Sequence, residues 1–151
     1  MDKNLSKTLN FFREKNNLKE VIKILLDEKK NNPKDLDILF NLAGAYRSLG
    51  NFEAALTNYD EIIFSDETYT PAFRMIGTII NHKNNTKYYN KIKKLKDKNN
   101  LPLKKKIDLY FSLGKAYEDF GEKEKAAKFY LLANKSKKEI TKYNFKIHKE
   151  H

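Results

Sequence analysis

Leu39-Phe40-Asn41-Leu42-Ala43-Gly44-Ala45-Tyr46, then Leu49-Gly50-Asn51-Phe52, then Ala55 and Tyr59, is the stretch that decides the fold, because the chain repeats it. The second copy reads Tyr110-Phe111-Ser112-Leu113-Gly114-Lys115-Ala116-Tyr117, then Phe120-Gly121-Glu122-Lys123, then Ala126 and Tyr130. Leu39, Leu42, Ala43 and Tyr46 stand three or four residues apart and make one apolar stripe on a helix. Gly50 and Gly121 let the chain leave that helix in a left-handed conformation. Ala55 and Ala126 are small where a second helix must approach the first, and Tyr59 and Tyr130 fill the space one turn later. Each copy therefore reads as a pair of antiparallel helices.

A chain of 151 residues suggests one domain and is long enough to bury a core. With 40% hydrophobic and 13% aromatic residues, general disorder is excluded. The absence of cysteine excludes disulfides and thiolate metal sites. His82, His148 and His151 are far apart, two of them in the tail, so no metal or cofactor is expected. No run of about 18 apolar residues exists to span a membrane. Met1-Asp2-Lys3-Asn4-Leu5-Ser6-Lys7 lacks the apolar core of a secretory signal, and a cytoplasmic location is expected.

The net charge of +11 is uneven: between Lys83 and Lys106 stand ten lysines against Asp97 alone. Such a segment suits nucleic acid or another anionic surface. Its competing explanation is compositional, since arginine occurs only at Arg13, Arg47 and Arg74. A surface selected to hold phosphate uses the bidentate arginine fork more often.

If the first clear copy starts at Leu36, the second starts at Ile107, about two 34-residue periods later. A unit should lie between them and another before them. The boundaries expected are 2–35 for a degenerate first repeat, 36–69, 70–106 with an insertion, 107–140, and a tail over 141–151. In the first unit Leu5, Leu9 and Phe12 form one stripe and Val21, Leu25 and Leu26 the other, with a turn at Asn16-Asn17. In the third, Phe73, Ile76, Gly77 and Ile80 form the first stripe. Its second helix fits only when moved back by one residue, so that Tyr88, Ile92 and Leu95 are buried in place of Lys93 and Lys96. The insertion Asn99–Leu103 then restores the phase, and Pro102 opens a longer helix. The helices expected are 4–15, 18–31, 35–49, 52–65, 70–82, 86–97, 103–120 and 123–137, with no sheet. Ile140, Tyr143 and Ile147 suit either a short capping helix or a fraying tail.

The two copies fit W-x-x-L-G-x-x-Y…A-x-x-x-F with another large side chain in the tryptophan place, and so resemble the tetratricopeptide repeat family. That resemblance implies an all-α, right-handed superhelical solenoid of about four helix-pair repeats with a C-terminal cap or tail. It also implies a non-catalytic scaffold that binds proteins or peptides along a concave groove lined by first helices. The run Leu109–Ala126, with Tyr130, Ala133 and Asn134 after it, further resembles the repeat region of bacterial tetratricopeptide–sulfotransferase proteins. No Gly-rich phosphate loop accompanies it, so an accessory or truncated relative is implied rather than sulfotransferase activity.

On that resemblance the groove residues are Lys7, Asn10 and Arg13, then Asn41 and Arg47, then Arg74, Thr78 and Asn81, and finally Ser112, Lys115 and Asp119. Lys7, Asn10, Asn41 and Arg74 partly resemble the clamp by which some family members hold an acidic C-terminus, although Ser6 and Pro71 stand where that clamp has basic residues. Lysine, arginine and asparagine can all donate to a carboxylate. The alternative site is a basic ridge of Lys87, Lys91, Lys94, Lys98, Lys104 and Lys105 for nucleic acid. Tyr88-Tyr89 could stack bases there, but the phase assigns Tyr88 to the core. The acidic pairs Asp66-Glu67, Glu118-Asp119 and Glu122-Glu124 read as solvated surface, since catalytic carboxylates need a pocket that shifts their pKa. No enzyme and no small-molecule substrate is expected.

Overall fold

The structure is a computed structural model that describes residues 2–149, with side-chain surroundings through 142. Among the described residues it holds eight helices and no strand. They fall into two compact units, one ending at Glu67 and the other starting at Thr68.

The first unit contains α1 (Lys3–Glu14), α2 (Leu18–Asn31), α3 (Leu36–Ser48) and α4 (Phe52–Ser65). Its turns are written in polar side chains. Asn16 takes a positive φ of 53° at the end of α1, a conformation asparagine tolerates better than most residues. Asn17 and Asn51 then cap α2 and α4 by accepting from the Glu20 and Ala54 amides, which satisfies donors a helix start leaves open. Asp35 does the same for Asp37 and Ile38 at the start of α3. Gly50 adopts φ 81°, the left-handed exit its position requires.

The core of this unit joins Leu9, Val21, Ile22, Leu25, Ile38, Leu42 and Ala45, with Leu5, Phe12 and Tyr46 packed at its edge. Ile22 takes the buried place expected of Leu26, which is 39% exposed. Helix α2 thus presents Val21, Ile22 and Leu25 to its neighbours and turns Leu26 outward. Between α3 and α4, Ala43, Ala55 and Tyr59 are fully buried, as the motif spacing predicts.

The second unit contains α5 (Thr70–Ile76), α6 (Lys87–Lys96), α7 (Leu103–Asp119) and α8 (Lys123–Lys149). Helix α6 buries Tyr88, Ile92 and Leu95, while Lys91, Lys93, Lys94 and Lys98 are exposed. This is the register that the one-residue shift predicts. Gly121, at φ 80°, again provides the left-handed exit between α7 and α8.

Two expectations are corrected. Helix α5 stops at Ile76 instead of continuing to 82. Thr78, Ile79 and Ile80 are β-branched and weak helix formers, and the backbone beyond them finds other partners. Asn81 Oδ1 accepts from the Lys83 amide at 2.9 Å, and the His82 amide donates to Asp119 Oδ2 at 2.9 Å. At the other end, α8 runs unbroken through the junction expected at 137. No glycine or proline interrupts 122–149, so nothing stops the helix. Ile140 is half-buried, whereas the Tyr143 and Ile147 side chains lie outside the described residues.

Candidate functional site

In the first unit α1 and α3 bring together three of the expected contact residues, Asn10, Arg13 and Asn41. Lys7, Asn10 and Arg13 follow one another along α1, the first two exposed and the third half-buried. Arg13 Nη2 donates to Asn41 Oδ1 on α3 at 2.8 Å, and Nη1 to Asn10 Oδ1 at 3.4 Å. Asn41 in turn donates to the Asp37 carbonyl at 2.7 Å. The arginine fork is thus held between two helices by amide oxygens, which leaves its net charge uncompensated by these contacts. Arg47 is elsewhere. It is half-buried near Tyr59, whose phenol pKa is raised by burial and lowered back by the Arg47 charge. Its guanidinium serves the α3–α4 contact rather than the Arg13 group. Below that contact an open cleft of about 410 Å³ is lined by Leu42, Tyr46, Asn51 and Asn58 among others. There Lys29 is tied to Glu61 at 2.7 Å and to Asn58 at 3.3 Å.

In the second unit the expected residues divide. Arg74 is 42% exposed at its side chain, 3.7 Å from Asp108, with its guanidinium carbon 4.3 Å from the Phe111 ring centre. Asp108 also accepts from Thr70 Oγ1 at 2.9 Å. Burial pushes its carboxyl pKa up, while Thr70 and Arg74 pull it back down. Thr78 is exposed with its hydroxyl donating to the Met75 carbonyl, and Asn81 is exposed in the turn after α5. Ser112 is 2% exposed, its hydroxyl donating to the Asp108 carbonyl at 2.8 Å. It is a packing residue. Asp119, expected on a solvated face, has a side chain only 6% exposed and is ion-paired to Lys115. Both its carboxylate oxygens are engaged, by Lys115 and by the His82 amide.

The ridge lysines Lys87, Lys91, Lys94, Lys98 and Lys104 are exposed. Lys105 is not part of that outward surface, because its ammonium donates to Thr68 Oγ1 at 2.7 Å. Asp97, the one acid of the segment, pairs with Lys96 at 2.7 Å.

Sequence reasoning missed His82. It is fully buried, and neither ring nitrogen has a hydrogen-bond partner among the described residues. Nothing local marks it, because the charged groups bearing on it, Lys115 and Asp119, come from α7, more than thirty residues away. No cluster of three histidine or carboxylate groups suited to a metal is present among the described residues, and no described helix is long and apolar enough to cross a membrane.

Residues 36–68 and 107–139, holding the two sequence copies and the helix pairs α3–α4 and α7–α8, match the tetratricopeptide repeat family. Both segments match as tetratricopeptide repeats. Of solved structures, the chain is similar to two crystal structures of MamA. One is 18% identical, with a TM-score of 0.39, over 95% of this chain and 99% of that one. The other is 17% identical, with a TM-score of 0.38, over 92% and 93%. No curated protein matches the chain. The sulfotransferase likeness of Leu109–Ala126 has no counterpart in these comparisons.

Proposed function

We propose that the chain is a non-catalytic scaffold whose repeats hold an acidic peptide segment of a partner protein. The principal contacts would be Lys7, Asn10, Arg13 and Asn41. The observation that carries this reading is the Arg13–Asn41 hydrogen bond at 2.8 Å between α1 and α3. It presets a planar cation between two helices, with Lys7 one or two turns along, and a preset fork loses less entropy when a carboxylate arrives. Arg74, stacked on Phe111, offers a second cation in the other unit. The test is fluorescence anisotropy with peptides selected from a random library for binding to the purified chain. Selected peptides are expected to be acidic, and Arg13→Ala to weaken them about tenfold, the loss of one hot-spot contact. The same variant should remain folded and melt a few degrees below the parent at most, since it loses one part-buried hydrogen bond of about 0.5–1.5 kcal/mol. Neutral consensus peptides, or unchanged affinity for Arg13→Ala, would remove this reading.

A second reading is favoured by Lys87, Lys91 and Lys94 of α6 and Lys98 just after it, all exposed. It is a surface for single-stranded nucleic acid. If it operates, log affinity for an oligothymidylate should fall with log salt by about 0.7 per phosphate neutralised, a slope near −3 for about four contacts. Lys91→Glu with Lys94→Glu should flatten that slope. Failure to bind the oligonucleotide at low salt would end this reading. A role beside a sulfotransferase rests on the Leu109–Ala126 motif alone.

A further inference from the structure

We propose that His82 is a proton-operated latch that fastens the segment 77–86 to α7 and releases it when the imidazole is protonated. The proposal is independent of which partner the repeats hold.

The geometry is specific. His82 lies in the turn between α5 and α6, fully buried, and both its ring nitrogens are without partners among the described residues. Its backbone N–H donates to Asp119 Oδ2 at 2.9 Å, while the other oxygen of that carboxylate is ion-paired to Lys115. On the α5 side the ring meets Gly77: a methyl group there would stand 3.6 Å from Nε2 and 3.6 Å from the Lys115 stem. The imidazole therefore packs as an apolar plug. An apolar ring would fill the same place with no polar atoms to desolvate, so the two orphan nitrogens ask for an explanation. Histidine is the one side chain whose ordinary titration falls near neutrality.

The charged groups bearing on the ring are Asp119 and Lys115, both from α7. Burial pushes the imidazole pKa down; Asp119 opposes this and Lys115 adds to it. Neither ring nitrogen is within hydrogen-bond reach of Asp119 or of any other acceptor among the described residues, so an imidazolium held in this position would be unpaired. Its lower-energy course is to leave for water. The segment that carries it can move without unwinding a helix, because nothing between Ile76 and Lys87 is helical. The sign follows from the lowered pKa. The latch is fully closed above the ordinary histidine value of about 6.5, and it loosens as pH falls through that value toward the folded one.

The test uses the full chain. NMR titration of the His82 Cε1–H is compared with a peptide spanning 77–86, and amide hydrogen exchange is followed at several pH values with intrinsic rates removed. The His82 midpoint is expected below that of the peptide. Exchange across 78–86 is expected to quicken severalfold between about pH 7.5 and about pH 5.5, while the middle of α7 stays protected. His82→Phe should make protection of this segment independent of pH. A His82 midpoint at or above the peptide's, pH-independent exchange in the parent, or an unaltered pH response in His82→Phe would each overturn the latch. If His82→Phe does not fold, the titration and exchange of the parent chain decide alone.

Discussion

Ile92→Lys is expected to unfold the second unit at much lower temperature, while Lys93→Ala, one residue away, leaves the melt nearly unchanged. Ile92 is fully buried. The substitution removes its burial, about 1.5–3 kcal/mol, and adds an unpaired charge at a cost of several kcal/mol more, so that a drop of about 10 °C or more follows. Lys93 is exposed, and its ammonium lies 5.3 Å from the Tyr89 ring centre. A contact of that kind at an exposed site contributes about 0.5–1 kcal/mol. Circular dichroism melts of the two variants check the order. The reverse order would place the lysine stripe inward and the register of α6 off by one.

The second large effect is steric. A Cβ on Gly114 would stand 2.6 Å from both Cδ1 and Cε1 of Tyr130, so α7 and α8 meet here with only a hydrogen between them. Tyr130 is held in place by donating to Glu118 Oε2 at 3.1 Å. Burial and the Glu118 carboxylate push its phenol pKa up to about 12. Gly114→Val is therefore expected to cost about 3 kcal/mol through overpacking. Gly44 has nothing within 4 Å of a built Cβ, and Gly44→Ala should instead gain up to about 1 kcal/mol of helix propensity. Chemical denaturation of Gly114→Val, Tyr130→Ala and the double variant gives the decisive cycle. Tyr130→Ala should recover most of the valine cost, because the two residues share one space. Additive losses would mean that the valine damages the fold some other way.

These cases show what the sequence carries. The apolar stripes of α3, α4, α7 and α8 are legible because burial on a helix imposes its own period, and the same constraint is strong enough to locate a one-residue shift in α6. Glycine at 50 and 121 is legible because few other residues take the required φ. What escapes is set by partners distant in sequence. Ser112 and Asp119 occupy positions that repeat spacing would turn outward, yet both are buried, Asp119 by serving a loop amide in the preceding helix pair. The early end of α5 shares this origin in part: the His82 amide goes to Asp119, thirty-seven residues away, while the Thr78, Ile79 and Ile80 amides turn to the local backbone and the Lys83 amide to Asn81. Of the proposed contact face, the convergence of Asn10, Arg13 and Asn41 was readable from repeat phase. The diversion of Arg47 toward Tyr59 was not, because it depends on how closely α3 and α4 pack.

The most direct measurement of the binding account is a two-dimensional amide NMR titration of the labelled chain with an acidic peptide selected as above. The account predicts that shifts concentrate on α1 and α3, around Lys7, Asn10, Arg13 and Asn41. Shifts confined to α6, or absent from α1 and α3 at saturating peptide, would contradict it.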